Sequence, residues 1–472
     1  MSSDQDLQQL HEDREKFEHR NPKRAVFESP KGLNEEIVRA ISEEKDEPQW
    51  MLEKRLEGLE EWKKKPMPDW ELSPDLSGLD IDEIIPYLKA DDTKANDWEE
   101  VPDDIKQTFE TLGIPEAERE ALAGVGSQYE SEVHYQNLKE QWEEKGVVFM
   151  DMDQAVQEHE ELVREHFMRR CVPPADNKFA ALHAAVWSGG SFVYVPEDVE
   201  VGMPLQAYFR MNSEGMGQFE HTLIIAEPGS TVHYIEGCSA PMYAQHNLHA
   251  GGVEVFVREN AHVQYSTVQN WSKNTYNLNT KRAIVDQGGT MEWVSGSLGS
   301  NVTMLYPSSY LVGEGATANH ITIGFAGADQ DIDTGAKVHH IAENTHSTVE
   351  SKSISQNGGR SNYRGLVRVH DGASGSSVNV DCDALMFDDD SRSDTMPFVE
   401  VNEEDVDVSH EGTVGKLNDD AIYYLMSRGV EEEEAAEMII RGFIEPITKE
   451  LPLEYAVELN RLVQLEMEGS LG

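Results

Sequence analysis

Glu227-Pro-Gly-Ser-Thr-Val-His-Tyr234, Glu259-Asn-Ala-His-Val-Gln-Tyr265 and Asp286-Gln-Gly-Gly-Thr-Met-Glu-Trp293 are the stretches that decide the fold. Each runs from an acid through Gly or Asn to an apolar residue three positions later and an aromatic ring five positions later. The turn residue recurs at Gly229, Asn260, Gly288, Gly315, Asn344 and Gly372, at spacings of 31, 28, 27, 29 and 28 residues. The third position holds Val232, Val263, Met291 and Ala318, and the fifth holds Tyr234, Tyr265, Trp293, His320 and Val349. An offset of two between such positions is strand alternation, held in register from repeat to repeat. A fixed period of this size means a solenoid or a propeller, and the repeat is brief for a four-stranded blade. The reading is a parallel β-solenoid in which each coil pairs with its neighbours. An ordinary sandwich with evenly spaced turns would have no reason to keep the ring at a constant offset.

Outward from these repeats, β-rich runs such as Phe192-Val-Tyr-Val195 and Val253-Glu-Val-Phe-Val257 extend over residues 175–415. Helical patterning flanks them. Residues 31–174 form an N-terminal helical region in which Asn34 caps a helix and Pro66 and Pro68 end the next one. Further helical stretches are expected over 103–112 and 152–167. Residues 416–472 form a C-terminal helical region, with Gly429 and Gly442 read as helix ends. Residues 1–30 are charged, poor in apolar side chains and expected to be loose. The fold class is mainly β.

The chain of 472 residues, 38% hydrophobic, can bury a sizeable core. Its 89 acids against 39 Lys and Arg leave a formal net charge of -50. Such a surface repels phosphate backbones, which argues against nucleic acid as a partner. The acids are dispersed, as at Asp91-Asp92, Asp388-Asp389-Asp390 and 431–434, rather than gathered in one tail, which fits adaptation to a salty cytoplasm. No apolar run is long enough to span a membrane, and Met1 to Arg20 have no signal-peptide core, so a cytoplasmic location is expected. The three cysteines, Cys171, Cys238 and Cys382, make neither a disulfide framework nor a CxxC site. GxxxxGK[ST], GxSxG, HExxH and GxGxxG patterns are all missing, so a free-standing enzyme is not expected. His246 and His249 form only an HxxH pair, and Asp329 to Asp333 lack an EF-hand pattern and read as surface.

The thiols carry the remaining chemistry. Cys238 sits in Tyr234-Ile-Glu-Gly-Cys-Ser-Ala-Pro241, Cys382 in Asn379-Val-Asp-Cys-Asp-Ala-Leu385, and His410 and Glu411 in Ser409-His-Glu-Gly-Thr413. Cys382 and Glu411 are 29 positions apart, close to one coil, so they can face each other on adjacent coils. Thiolate, imidazole and carboxylate together suit iron. Spacing alone favours a buried thiol beside two surface residues.

These segments resemble the SufB/SufD family of the SUF system, and within it the SufB branch, a scaffold for iron–sulfur cluster assembly. The resemblance covers nearly the whole chain. It is carried by Gly32-Leu-Asn-Glu-Glu-Ile-Val-Arg-Ala-Ile-Ser42, Glu47-Pro-Gln-Trp-Met-Leu52, Pro66-Met-Pro-Asp-Trp70 and Gln128-Tyr-Glu-Ser-Glu-Val133. It continues in Asp176-Asn-Lys-Phe-Ala-Ala-Leu182, Ala185-Val-Trp-Ser-Gly-Gly-Ser-Phe-Val-Tyr-Val-Pro196, Tyr234-Ile-Glu-Gly-Cys238, Ser361-Asn-Tyr-Arg-Gly365 and Leu451-Pro-Leu-Glu-Tyr-Ala-Val457.

The resemblance implies a right-handed parallel β-helix core flanked by helices, pairing with SufD, and a C-terminal helical region that docks the SufC ATPase. It implies persulfide sulfur from a cysteine desulfurase or a sulfur carrier, accepted at Cys238. It also implies a sulfur path whose polar positions match Arg210, Asn212, Gln269, Trp271 and Lys281. A transient cluster is expected at Cys382, helped by His410 and Glu411. Whether a reduced flavin binds the assembled complex is left open. Two departures matter. Ser409 stands where many relatives have an acid, which puts a third oxygen ligand in doubt. The chain also has no cysteine before Cys171, against an N-terminal cluster motif. The alternatives are a SufD-like paralogue and a β-helix carbohydrate-active enzyme.

Overall fold

The turn residues build the molecule. In the structure, a computed structural model describing residues 18–112, 122–417, 419–451 and 453–467, a column of left-handed residues runs along one corner. It comprises Asp198, Gly229, Asn260, Gly288, Gly315, Asn344 and Gly375, with φ between 54° and 72°. Gly, Asn and Asp are the residues that adopt this conformation at least cost. Each turn amide bonds to the carbonyl just before the next turn residue, as Gly229 does to Glu259 and Asn260 to Gln287. This ladder corrects the sixth position. Asn344 bonds to Ser374, so Gly375 and not Gly372 continues the column, and the intervening loop is longer.

The strands stack into a β-solenoid of about eight turns flanked by N- and C-terminal helices. One sheet has ten strands. It starts at the hairpin Gly124–Tyr129 and Glu132–Leu138, then adds in parallel Leu205–Arg210, Thr231–Ser239, His262–Trp271, Thr290–Gly299, Thr317–Ala326, His346–Ser355, Ser376–Met386 and Val406–Lys416. The facing sheet includes Ser191–Val195, His221–Ala226, Gly252–Val257, Thr275–Val285, Arg360–Val369 and Arg392–Val401. The expected register holds: Tyr234, Tyr265, Trp293, His320 and Val349 pair in succession. Their rings pile up inside the coil, with Tyr234–Tyr265 and Tyr265–Trp293 centroids 5.3 and 5.1 Å apart. Alternate residues face outward. Ile235, Val268, Val294 and Ile323 pack there against Ala435, Ile440, Ile444, Leu459 and Leu462 of helices Glu432–Glu450 and Leu453–Met467.

Several local expectations change. Gly442 lies inside Glu432–Glu450, because neighbours Ile440, Ile444 and Ile447 all bury on the solenoid and hold that turn helical. Asp333 is buried and paired with Arg364 at 3.1 Å, not at the surface. The N-terminal region is not only helical, since Gly124–Tyr129 pairs with Leu205–Arg210 and extends the first sheet. Of the segment expected to be loose, residues 1–17 lie outside the described residues, while Phe27–Glu28 pairs with Leu88–Lys89. Asn34 caps Glu35–Glu44 as expected, accepting the Ile37 amide at 3.0 Å. At the far end the last coil is open, with Phe398, Val399, Val401 and Val414 exposed. Among the described residues no helix is long and apolar enough to cross a membrane.

Candidate functional site

On Thr231–Ser239 the alternation turns Val232, Tyr234, Glu236 and Cys238 into the lumen. Cys238 Sγ lies 3.7 Å from Glu236 Oε1. The Glu236 carboxylate also accepts the Tyr265 hydroxyl and, at 3.1 Å, the Lys281 ammonium, which reaches across from Thr275–Val285. All four side chains are buried. Burial pushes the Cys238 thiol well up, the Glu236 and Glu220 charges add to this, and Lys281 opposes it. Lys281 is thus the cation that makes a buried thiolate less costly here.

Gln269 is the direct cross-strand neighbour of Cys238. Its Oε1 accepts from Asn277 at 2.7 Å, Asn277 Oδ1 meets His249 Nδ1 at 2.8 Å, and His249 Nε2 meets Glu220 at 2.5 Å. Trp271 lies over His249, with centroids 4.3 Å apart. The structure therefore brings Cys238, Gln269, Trp271 and Lys281 into one polar chamber. Arg210 and Asn212 stand apart from it. Arg210 pairs with Ser239, not Cys238, so its side chain leaves from the outer face, where Nη1 donates to Ser239 Oγ at 2.9 Å. Asn212 follows just beyond the strand end, its amide bonded to Glu130 at 3.0 Å. Cys171 is buried among apolar side chains near Arg282 O, 3.2 Å away, away from both sites.

The register exposes residues that motif reading passed over. Glu236, Thr267, Ser295, Thr322, Ser351 and Cys382 pair in succession and form one inward column. Beside it run Cys238, Gln269, Ser297, Gly324 and Ser353 in the same pairings. Five rungs separate the Glu236 level from Cys382, about 24 Å at the usual strand spacing. Thr322 donates to Ser351 at 3.1 Å, while Thr267, Ser295 and Ser297 hydroxyls and Gln269 Nε2 are buried without a protein partner. Buried hydroxyls without partners are costly in an apolar core. The signal was available: these residues stand seven positions after Gly229, Asn260, Gly288, Gly315 and Asn344.

At the open end, Cys382 faces the lumen from Ser376–Met386. His410 Nε2 on the last strand lies 3.8 Å from its sulfur. Burial raises the Cys382 thiol to about 12, Asp381 and Asp383 add to the rise, and a hydrogen bond with Tyr363 opposes it. The expected facing of Cys382 and Glu411 is not what the structure holds. Cys382 pairs with Gly412, so Glu411 pairs with Asp381 and points to the outer face. A coil of 30 residues replaces the assumed 29 there, and a one-residue slip reverses every side chain. Outside, Glu411 joins a charged row in which Lys352 bonds Asp383 at 2.9 Å. Among the described residues no group of three or more His, Cys, Asp or Glu is arranged to hold a metal ion. Cys382 and His410 thus converge as a thiol and an imidazole, side chains whose chemistry suits iron.

Residues 209–443 match the SUF system FeS cluster assembly SufBD core domain, and residues 44–207 match the SufBD protein N-terminal region. Iron-sulfur cluster assembly SufBD family proteins of Staphylococcus epidermidis (strain RP62A) and Staphylococcus aureus (strain MRSA252) are each 55% identical over 448 residues, covering 95% of this chain and 96% of the relative. Two family models that together match residues 44–207 and 209–443, and relatives 55% identical over 95% of the chain, lead to one conclusion: the chain belongs to the SufBD family of iron–sulfur cluster assembly proteins.

Proposed function

We propose that this chain is a SufB-type scaffold that accepts sulfur at Cys238 and assembles a nascent cluster at Cys382. The observation that carries the reading is the hydroxyl-lined column running inside the coil from the Cys238 level to Cys382. In the transfer step the Cys238 thiolate attacks the terminal sulfur of a donor persulfide. A Cys238 persulfide forms, the donor cysteine leaves as thiolate, and no net oxidation occurs. Glu236 and Lys281 set the charge around that thiol. Release of the sulfur as sulfide takes two electrons, a role for a reduced flavin in the assembled complex. At the open end Cys382 and His410 ligate, and Glu411 contributes only if the last strand rotates or a partner recruits its outer face.

The donors are a cysteine desulfurase or a sulfur carrier, in the cytoplasm. SufD covers the exposed Phe398, Val399, Val401 and Val414 of the last coil. The SufC ATPase docks on the C-terminal helices, which leave Tyr423, Tyr424, Met438 and Val457 exposed. ATP turnover belongs to SufC, since the chain has no phosphate-binding loop.

Anaerobic reconstitution with SufC and SufD tests this, with sulfur supplied either by the desulfurase or as free sulfide. Cys238→Ser loses the first route and keeps the second. Cys382→Ala loses both, and His410→Ala weakens bound iron more than Glu411→Ala does. A Cys382→Ala chain that binds iron and sulfide like the native one refutes the site. Native protein that forms no cluster by either route points instead to a SufD-like role.

A further inference from the structure

The outer approach to Arg210 and Asn212 is taken by the chain's own N-terminal segment. We propose that residues 18–21 are a displaceable strap closing the port through which a donor's persulfide-bearing cysteine reaches this scaffold, a proposal that rests on the reading of Cys238 as sulfur acceptor. The His19 carbonyl accepts Arg210 Nη2 at 2.5 Å. Asn21 and Asn212 exchange two bonds, from Asn21 N to Asn212 Oδ1 at 3.0 Å and from Asn212 Nδ2 to Asn21 O at 3.2 Å. Glu18 Oε2 accepts the Met242 amide at 3.0 Å. The Asn21 side chain is the anchor, donating to Asp104 O at 2.9 Å and to Thr108 Oγ1 at 2.7 Å, with Tyr129 Oη 3.3 Å away.

Behind Glu18 lies a cavity of about 400 Å³, walled by Ala240, Trp271, Lys273 and Leu462. Trp271 lines it and also stacks on His249 in the lumen chamber, so one ring borders both the cavity and the chamber that holds Cys238. Space of this size admits a loop tip and its cysteine side chain, not a folded domain. A persulfide is an anion: Lys273 lines the cavity beside Glu18 and Glu466, displacing the strap takes Glu18 out of that lining, and Arg210, outside the lining, is the cation the strap covers. The strap sequence Glu-His-Arg-Asn contributes no aliphatic side chain to the core and is held by hydrogen bonds and Arg20 over the Tyr243 ring. Such a segment opens at little cost.

The experiment uses the full chain with Glu18→Ala and Asn21→Ala, alone and together. Native-state alkylation by iodoacetamide is followed at each cysteine by peptide mass spectrometry, with Cys171 and Cys382 as internal references. The strap variants should react about tenfold faster at Cys238 and unchanged at the other two, and the Met242 amide should exchange faster with solvent in Glu18→Ala. An unchanged Cys238 rate, or a rise shared by Cys171, overturns the strap. This readout needs no sulfur transfer, so it fails independently of the acceptor reading, which the Cys238→Ser desulfurase assay judges.

Discussion

Replacing Lys281 by Met keeps the length of the side chain and removes the cation that, among the described residues, faces Glu236 in the lumen. Both partners are buried, at 2% and 1% exposure, so solvent screening does not soften the loss. Stripping one partner from a buried ion pair costs about 3–5 kcal/mol. The Tyr265 hydroxyl still donates to Glu236, which places the expected cost at the lower end, about 3 kcal/mol. Stability read from urea unfolding should fall by that amount near pH 8, and Glu236→Gln added to Lys281→Met should restore most of it. The same variant should alkylate more slowly at Cys238, since Lys281 is the charge that opposes the rise of that thiol. A Lys281→Met chain as stable as the native protein at pH 8, or a deficit untouched by Glu236→Gln, refutes the reasoning.

Two further outcomes are expected. Tyr423→Asp or Met438→Asp should abolish pull-down of SufC while leaving the melting temperature unchanged, because both side chains are exposed on the C-terminal helices; undiminished pull-down removes the docking face. With a net charge of -50, stability should rise with KCl as screening relieves self-repulsion; melting temperatures equal in dilute buffer and in molar KCl would rule out the salt-adaptation reading.

Much of the fold was legible because a solenoid repeats its local chemistry. Left-handed turns demand Gly, Asn or Asp, and the alternating strand that follows repeats its inward positions, so Gly229 to Asn344 and Tyr234 to Val349 could be aligned by counting. The same counting would have found the hydroxyl column at the seventh position. It failed where coils differ in length. The residues added before Gly375 and the 30-residue step from Cys382 to Gly412 are invisible to spacing, since a loop can bulge without changing its composition. Hence a 29-residue count turns Glu411 to the lumen face, which His410 occupies instead.

Sequence by itself determined the period, the facing of most strands and the identity of the two lumen thiols. Only the tertiary structure decided what those thiols meet. Glu236 and Lys281 are 45 residues apart, and Arg210 meets His19 from 191 residues away. Such contacts depend on which coil stacks on which and on where the N-terminal segment docks. The physical reason is that alternation and turn preference are properties of a few adjacent residues, whereas register is set by the backbone ladder between coils.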